Sequence, residues 1–476
     1  MSRSANALKP AAEKIETGLI IKWTLSIALP LLLWLLPLGI PRGMQIYLAI
    51  SLWAVVTWMF ELVDNAISGT LLPVFFILSG VAGVQEAFKG WTSAVPWVTL
   101  GGMIFGAVMV STGLAKRLTF KILTYTGTSF LGIVIGILII SAVITPFMPS
   151  VTGKTALMLP LIIGVCQVMG IQPKSKEASA IMLALFSALW SAKMAYLTGS
   201  ADSVLLASLV FEYTGLSIDW GTWSYQMAFP SLVWTVVATL LVLTMKPQNI
   251  LIPKEKLQEQ YAELGPMPAK QVKAAVMLVA LAVALCSDRW HHVNPAWTLM
   301  VMSGTIFVPG INLITKDDLY RLVNWPVVFF LAGSMSIGNV AGAPAVNFVK
   351  ALVGWVLPLL QGMSDVLLCL TVWCLGFLGC FVLNQFGLSS AFTGPIAQIF
   401  GQLGLNPFLG AYSLIFGFDS LFFPYQCAPI LLIYACGYLN LTDLFKQMAI
   451  RTVAALVVFL VIVIPYWQLV GLFARQ

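Results

Sequence analysis

The sequence predicts an all-α, polytopic membrane protein, and three features predict it. Of 476 residues, 59% are hydrophobic and only 9% are charged, against about 25% charged in an ordinary soluble domain. Apolar runs of spanning length recur along the chain, and a helix crosses roughly 30 Å of hydrocarbon with about 20 apolar residues. The basic residues fall in short clusters between those runs, as at Lys116, Arg117 and Lys121 or at Lys174 and Lys176. Such clusters mark the cytoplasmic side of a membrane protein, so the formal charge of +7 reports topology and not a nucleic-acid partner.

Taken in order, apolar spans are expected near residues 18–40, 44–62, 66–83, 92–112, 128–147, 179–212, 224–245, 273–288, 296–312, 325–345, 364–383, 405–438 and 447–472. Some are broken or short of a full crossing, which leaves about eleven crossings. A polar leader with Arg3, Lys9 and Lys14 precedes a first run, Leu19 to Ile40, of spanning length. That pattern predicts an uncleaved first span and not a signal peptide. The hydrophilic stretch from Met245 to Lys273 carries Lys254, Glu255, Lys256, Glu259 and Glu263 and ends at Gly265-Pro266-Met267-Pro268. It is expected to be a cytoplasmic, partly helical linker. The chain then divides into an N-terminal segment with the first span (1–43), a first repeat (44–245), the linker (246–272) and a second repeat (273–476).

The two halves echo each other. Trp97 and Leu100-Gly101-Gly102 in the first correspond to Trp325-Pro326 and Leu331-Ala332-Gly333 in the second. Each half later has an interrupted apolar segment ending at a proline, Pro160 or Pro395. Each then has a long span broken by small or helix-breaking residues, at Thr198 to Ser203 and at Pro424 to Pro429. Corresponding interrupted segments in two halves point to a transporter built from inverted repeats, with its broken helices at the bilayer midplane. Backbone freed by such breaks is tolerated only inside protein or beside a wet cavity. Helix N-termini there attract anions, and freed carbonyls attract cations.

Chemistry other than transport finds little material. Seven cysteines, Cys166, Cys286, Cys369, Cys374, Cys380, Cys427 and Cys436, are scattered through apolar segments with no Cys-x-x-Cys pair, so neither a disulfide framework nor a zinc site is expected. His291 and His292, adjacent in a loop-like stretch, cannot build a metal centre. Thr152-Gly153-Lys154-Thr155 resembles the end of a phosphate-binding loop, but the first glycine of that motif would be residue 148, a methionine. No enzyme and no cofactor are expected. A channel or receptor would need a line of polar residues through several spans, and none is visible.

Glu86-Ala87-Phe88, Trp97-Val98-Thr99-Leu100-Gly101-Gly102 and Ser111-Thr112-Gly113-Leu114-Ala115-Lys116-Arg117 resemble the divalent anion/sodium symporter family of di- and tricarboxylate and sulfate carriers. Glu263-Leu264-Gly265-Pro266-Met267, the stretch from Trp325 to Gly333, and Cys436-Gly437-Tyr438 with Asp443-Leu444-Phe445-Lys446 fit the same family. The resemblance implies two re-entrant hairpins, each with a Ser-Asn-Thr tip ten residues before a proline that binds carboxylate and sodium. Ser150-Val151-Thr152 stands ten residues before Pro160; Gln385-Phe386-Gly387 stands ten before Pro395, with Asn384, Ser389 and Ser390 nearby. The family's second element is a Gly-Thr-Pro-Pro-Asn-like helix break. Gly199-Ser200-Ala201-Asp202-Ser203 and Gln426-Cys427-Ala428-Pro429-Ile430 occupy those places. The substrate-binding residues implied are therefore Ser150, Thr152, Gly199, Ser200 and Ser203, with Asn384, Gln385, Cys427 and Pro429 in the second half. The resemblance also implies a homodimer among membrane lipids whose transport domain slides, elevator-like, against a fixed scaffold.

Lys154, Lys193 and Asp202 lie in otherwise apolar segments, where a charge costs about 2.5–3.5 kcal/mol on insertion scales. Lys154 follows Ser150 by four residues, so a helical arm puts both on one face, where the ammonium could hold a substrate carboxylate. It could equally stand in for a sodium ion, snorkel, or pair with Asp202. Asp202 could also coordinate a cation or take up a proton; pairing with Lys154 is the favoured expectation. Lys193 could pair with a lipid-facing or cytoplasmic group. Asp419 and Glu61 are lesser acids of the apolar segments. With the sodium-type tips altered and a fixed ammonium present, the expected function is carriage of a small anionic solute, a di- or tricarboxylate, across a bacterial inner membrane. Exchange or proton coupling is expected ahead of sodium symport of a dicarboxylate, inorganic or sulfonate anion, so Na+ or H+ are the candidate coupling ions.

Overall fold

The computed structural model describes residues 17–60, 62–126, 129–247, 254–423 and 426–475. The basic leader, Glu61, and Pro424 with Tyr425 of the second expected break lie outside the described residues. Within them the chain forms helices and no strand, as a chain short of polar side chains must when its backbone has to satisfy itself in lipid. Nine of these helices are long and apolar enough to cross a membrane. A tenth span results if Lys316–Leu322 and Trp325–Ala341, bent by 55° at their junction, count as one.

Several spans differ in extent from their apolar runs. The runs near 66–83, 296–312 and 364–383 form helices of only 14, 11 and 15 residues, Asn65–Leu78, Pro295–Thr305 and Asp365–Gly379. Caps and turns set these limits, not hydropathy. Asp64 accepts the Ala66 amide at the start of the first, and Gly80, with φ at +74°, follows its end. Conversely, Val151–Val168 is long enough to span although it was not among the expected crossings. Pro160 and Pro395, expected to end interrupted segments, sit inside continuous helices, Val151–Val168 and Gln385–Gln402. The interruptions precede these helices instead.

The glycine motifs that echo between the halves are points of backbone contact. A Cβ on Gly102 would fall 1.9 Å from Pro149 Cδ, and one on Gly333 would fall 2.0 Å from the Gly69 carbonyl oxygen. Helix Ala94–Ser111 thus presses on the segment before Ser150, and Trp325–Ala341 presses on Asn65–Leu78. Small residues are the usual means of close helix approach where no hydrophobic driving force separates protein from solvent. A smaller apolar core, including Tyr47, Leu72, Phe76, Phe330 and Val340, binds Asn65–Leu78, Arg42–Phe60 and Trp325–Ala341 together. A larger one runs through the remaining helices.

The linker is fastened by one residue. Arg117, buried in helix Leu114–Thr126, donates to the carbonyls of Gly265 at 2.9 Å and Leu264 at 2.8 Å and to Gln271 Oε1 at 2.6 Å. Gln271 in turn donates to the Thr112 carbonyl at 2.9 Å. Replacing Arg117 with Ala leaves these acceptors without their charged donor, at a cost of about 2 kcal/mol. A lower melting temperature of the purified protein is expected, with no change for Lys116→Ala, whose side chain is exposed.

Candidate functional site

The first break lies where helix Phe130–Ile144 gives way to a 3₁₀ turn, Thr145–Phe147, and an extended stretch before Val151–Val168. Ser150 caps that helix, its Oγ accepting the Gly153 amide at 3.1 Å. The second break follows Lys176–Ala192 and comprises two 3₁₀ turns, Lys193–Ala195 and Leu197–Gly199. Ser200 then caps Ala201–Thr214, its hydroxyl 2.9 Å from that of Ser203. Gly199 is required by space, since a Cβ there would sit 2.3 Å from the Lys193 carbonyl oxygen. The two breaks complete each other: the Ala201 amide donates to the Pro149 carbonyl at 3.0 Å, and Thr198 Oγ1 to the Pro146 carbonyl at 2.8 Å.

The same order recurs in the second half. Asp365–Gly379 leads through a turn to Gln385–Gln402, capped by Asn384, whose Oδ1 accepts the Gly387 amide at 2.9 Å. Pro407–Phe418 and Ala428–Ala435 flank the other break. There Gln426 Oε1 accepts the amides of Phe422 and Phe423, each at 2.6 Å, while its Nε2 donates to the Cys380 carbonyl at 3.0 Å. Matched by caps, Ser150 corresponds to Asn384, one residue earlier than the spacing to the prolines implied. Lys154 then corresponds to the buried Leu388.

The N-terminal ends of all four helices face one cavity of about 420 Å³. Ser150, Thr152, Ser200, Asp202, Asn384, Gln385, Cys427 and Pro429 line it; Gly199, Ser203, Lys154 and Lys193 do not. Ser389 and Ser390, also expected nearby, are buried within their helix away from it. No basic side chain among the described residues lines the cavity, and its charged lining groups are Asp64 and Asp202. Attraction for an anion there comes from the helices themselves, each N-terminus carrying about +0.5 of an elementary charge and unpaired amides.

The two buried ammonium groups differ from expectation. Lys154, fully buried, does not pair with Asp202 and does not reach the cavity. Its Nζ donates to the Gly199 carbonyl at 3.0 Å and to Thr145 Oγ1 at 3.4 Å, spanning the two breaks of the first half. Lys193 has neither a lipid-facing nor a cytoplasmic partner. It pairs with Asp202 Oδ2 at 2.7 Å, donates to Gln385 Oε1 at 3.1 Å, and stands 3.6 Å over the Trp190 ring. The break through two 3₁₀ turns brings residues 193 and 202 together, whereas Lys154 meets the Gly199 carbonyl.

A second buried ion pair was not legible in full. Arg451, in helix Leu441–Val458, meets Asp419 Oδ2 at 2.5 Å and the Asp419 carbonyl at 2.6 Å; Trp234 Nε1 donates to the same carboxylate at 2.7 Å. Asp419 stood out in the sequence as an acid in an apolar segment, and Arg451 carried the same mark in the last span. Thr145, neutral and unremarkable in sequence, was missed, and Gln426 was named only as part of the second break.

The model of the family described as "Sodium:sulfate symporter transmembrane region" matches residues 17–473. The chain belongs to that family. It is a multi-pass membrane protein that transports an anion, and the family's members are transporters and not enzymes. A membrane protein of Cupriavidus necator is 25% identical over 67% of this chain and 67% of its own length. Inner membrane protein YbhI of Escherichia coli is 21% identical over 85% and 86%. Dicarboxylate transporter 1, chloroplastic, of Spinacia oleracea is 23% identical over 98% and 82%.

Removing one member of a buried pair strands the other charge, at about 3–5 kcal/mol, whereas removing both is far cheaper. Lys193→Met and Asp202→Asn should each lower the unfolding temperature markedly. The double variant should recover more than half of the loss in a double-mutant cycle read by thermal unfolding.

Proposed function

We propose that the protein exchanges small multivalent organic anions, di- and tricarboxylates, across a bacterial inner membrane. The observation that carries this is the Lys154 ammonium on the Gly199 carbonyl and Thr145 Oγ1. Freed carbonyls and hydroxyls at a helix break are the ligands with which carriers hold a coupling cation. Here a covalently fixed cation takes that position. In the second half the Gln426 amide engages the freed Cys380 carbonyl, and Leu388 stands where the cap register would put a partner of Lys154. A lysine held in that position cannot be released into solution, so it couples transport to no ion gradient. What remains to drive the return of the carrier is a second anion, and that is exchange.

One carboxylate of the substrate would lie at Ser150, Thr152 and Ser200, with Gly199 and Ser203 shaping the break behind them, the other at Asn384, Gln385, Cys427 and Pro429. The volume of about 420 Å³ suits a small organic solute. The printed name of the spinach relative supports a dicarboxylate, and that of the E. coli relative an inner membrane. The repeated order of hairpin and broken helix supports two inverted repeats, 44–245 and 273–476, after an N-terminal segment 1–43 and joined by the linker 246–272. A second cavity of about 400 Å³, lined by Glu212 at the far end of Ala201–Thr214, supports alternating exposure of one site. The moving part would be an elevator within a lipid-embedded homodimer. Sodium-coupled symport of a dicarboxylate, or of an inorganic or sulfonate anion, is the second reading, favoured by the family's description.

Proteoliposomes loaded with unlabelled succinate should take up labelled succinate, and empty ones should not. Replacing sodium with potassium on both sides should leave the rate unchanged. Strict dependence on a sodium gradient overturns exchange in favour of symport; uptake into empty vesicles driven by a pH gradient replaces exchange with proton coupling.

A further inference from the structure

Asp202 is out of character with its surroundings. It puts a carboxylate, 1% exposed, on the wall of a cavity that four helix N-termini make attractive to anions. Its Oδ2 accepts the Lys193 ammonium at 2.7 Å. Its Oδ1, also buried, has no hydrogen-bond partner among the described residues. An ionised carboxylate can only accept hydrogen bonds, and so can each carboxylate of a substrate. Contact between them is repulsive.

We propose that Asp202 is a specificity-determining residue that selects anions carrying a hydroxyl group, by accepting the substrate's O–H at Oδ1. This rests on the cavity being the dicarboxylate site argued above. Lys193 neutralises Asp202, so the pair costs an approaching dianion little, yet one acceptor remains to be satisfied. Near neutral pH both carboxyls of a small diacid are ionised, their pKa values being near 4 in the absence of other effects, so they bring no proton. An amino substituent brings protons but also a positive charge, and the Lys193 ammonium already on this carboxylate opposes it. A neutral hydroxyl is the donor that fits. A site built around a buried hydrogen-bonding group rejects analogues that leave it unpaired, by on the order of tenfold for one buried acceptor.

Malate, succinate and aspartate share one skeleton and differ at a single carbon, by hydroxyl, hydrogen and ammonium. Their competition against labelled succinate exchange in proteoliposomes of the full chain tests the proposal at neutral pH. Malate should compete on the order of tenfold more tightly than succinate, and aspartate no better than succinate. Asp202→Ala should bring the malate-to-succinate ratio close to one, and so should Asp202→Leu with Lys193→Met, which keeps the buried charge balanced should the single variant fold poorly. The ratio is independent of how much protein folds, so a purely structural role for Asp202 leaves it unmoved. Equal competition by malate and succinate in the unaltered protein, or a malate preference that survives both variants, overturns the proposal. Exchange of none of the three acids overturns the dicarboxylate site itself, and this inference with it; labelled succinate exchange without malate preference overturns only the role of Asp202.

Discussion

Every distinctive feature of this protein depends on one constraint, that backbone polar groups released inside an apolar body must find partners within the protein. Four of the helix starts at the cavity show how, three of them through a side-chain cap. Serine hydroxyls cap two, Ser150 on Gly153 and Ser200 beside Ser203, and the Asn384 amide oxygen caps a third. The carbonyls left on the far side of the breaks are taken by Lys154 at Gly199 and by Gln426 at Cys380. The first two breaks also bond each other through the Ala201 amide and the Pro149 carbonyl. What is not consumed is the outward set of amides at the helix starts, and these surround the cavity.

Charge is arranged in layers around that cavity. The lining offers dipoles, hydroxyls and amides beside the carboxylates of Asp64 and Asp202. The ammonium groups stand outside it, each held by two protein acceptors, Lys154 by oxygen atoms of the two breaks and Lys193 by Asp202 and Gln385. A bare ammonium facing the substrate would bind an anion more tightly and release it more slowly. Partial positive ends of helices attract an anion while leaving no single strong contact to break. Gln385 ties the Lys193 pair of the first half to helix Gln385–Gln402 of the second, and the Arg451–Asp419 pair with Ser191 ties Leu441–Val458 to Lys176–Ala192. Both halves therefore share responsibility for the geometry of one site.

Much of the fold was legible because apolar length and glycine placement are local properties. Gly101-Gly102 and Leu331-Ala332-Gly333 were recognisable as corresponding motifs, and both proved to be places where backbone meets backbone. Pro160 and Pro395 both lie inside continuous helices, and it is the caps Ser150 and Asn384, not the prolines, that mark the starts. The short helices Asn65–Leu78 and Asp365–Gly379 were overestimated for a related reason, as hydropathy counts apolar residues in turns and helices alike.

The sequence by itself determined that the chain is helical, membrane-embedded and interrupted at corresponding points in two halves, and it singled out Lys154, Lys193 and Asp202 as charges needing an explanation. Tertiary structure alone decided which charge meets which. Lys154 stands 48 positions before Asp202 and Lys193 only nine, yet neither spacing selects a partner, because two successive 3₁₀ turns interrupt the helix between residues 193 and 202. The partners of Asp419 and the roles of Thr145 and Gln426 were hidden for the same reason. Coulomb attraction and hydrogen bonding act over a few ångströms in space, and distance along a broken helix is no measure of them.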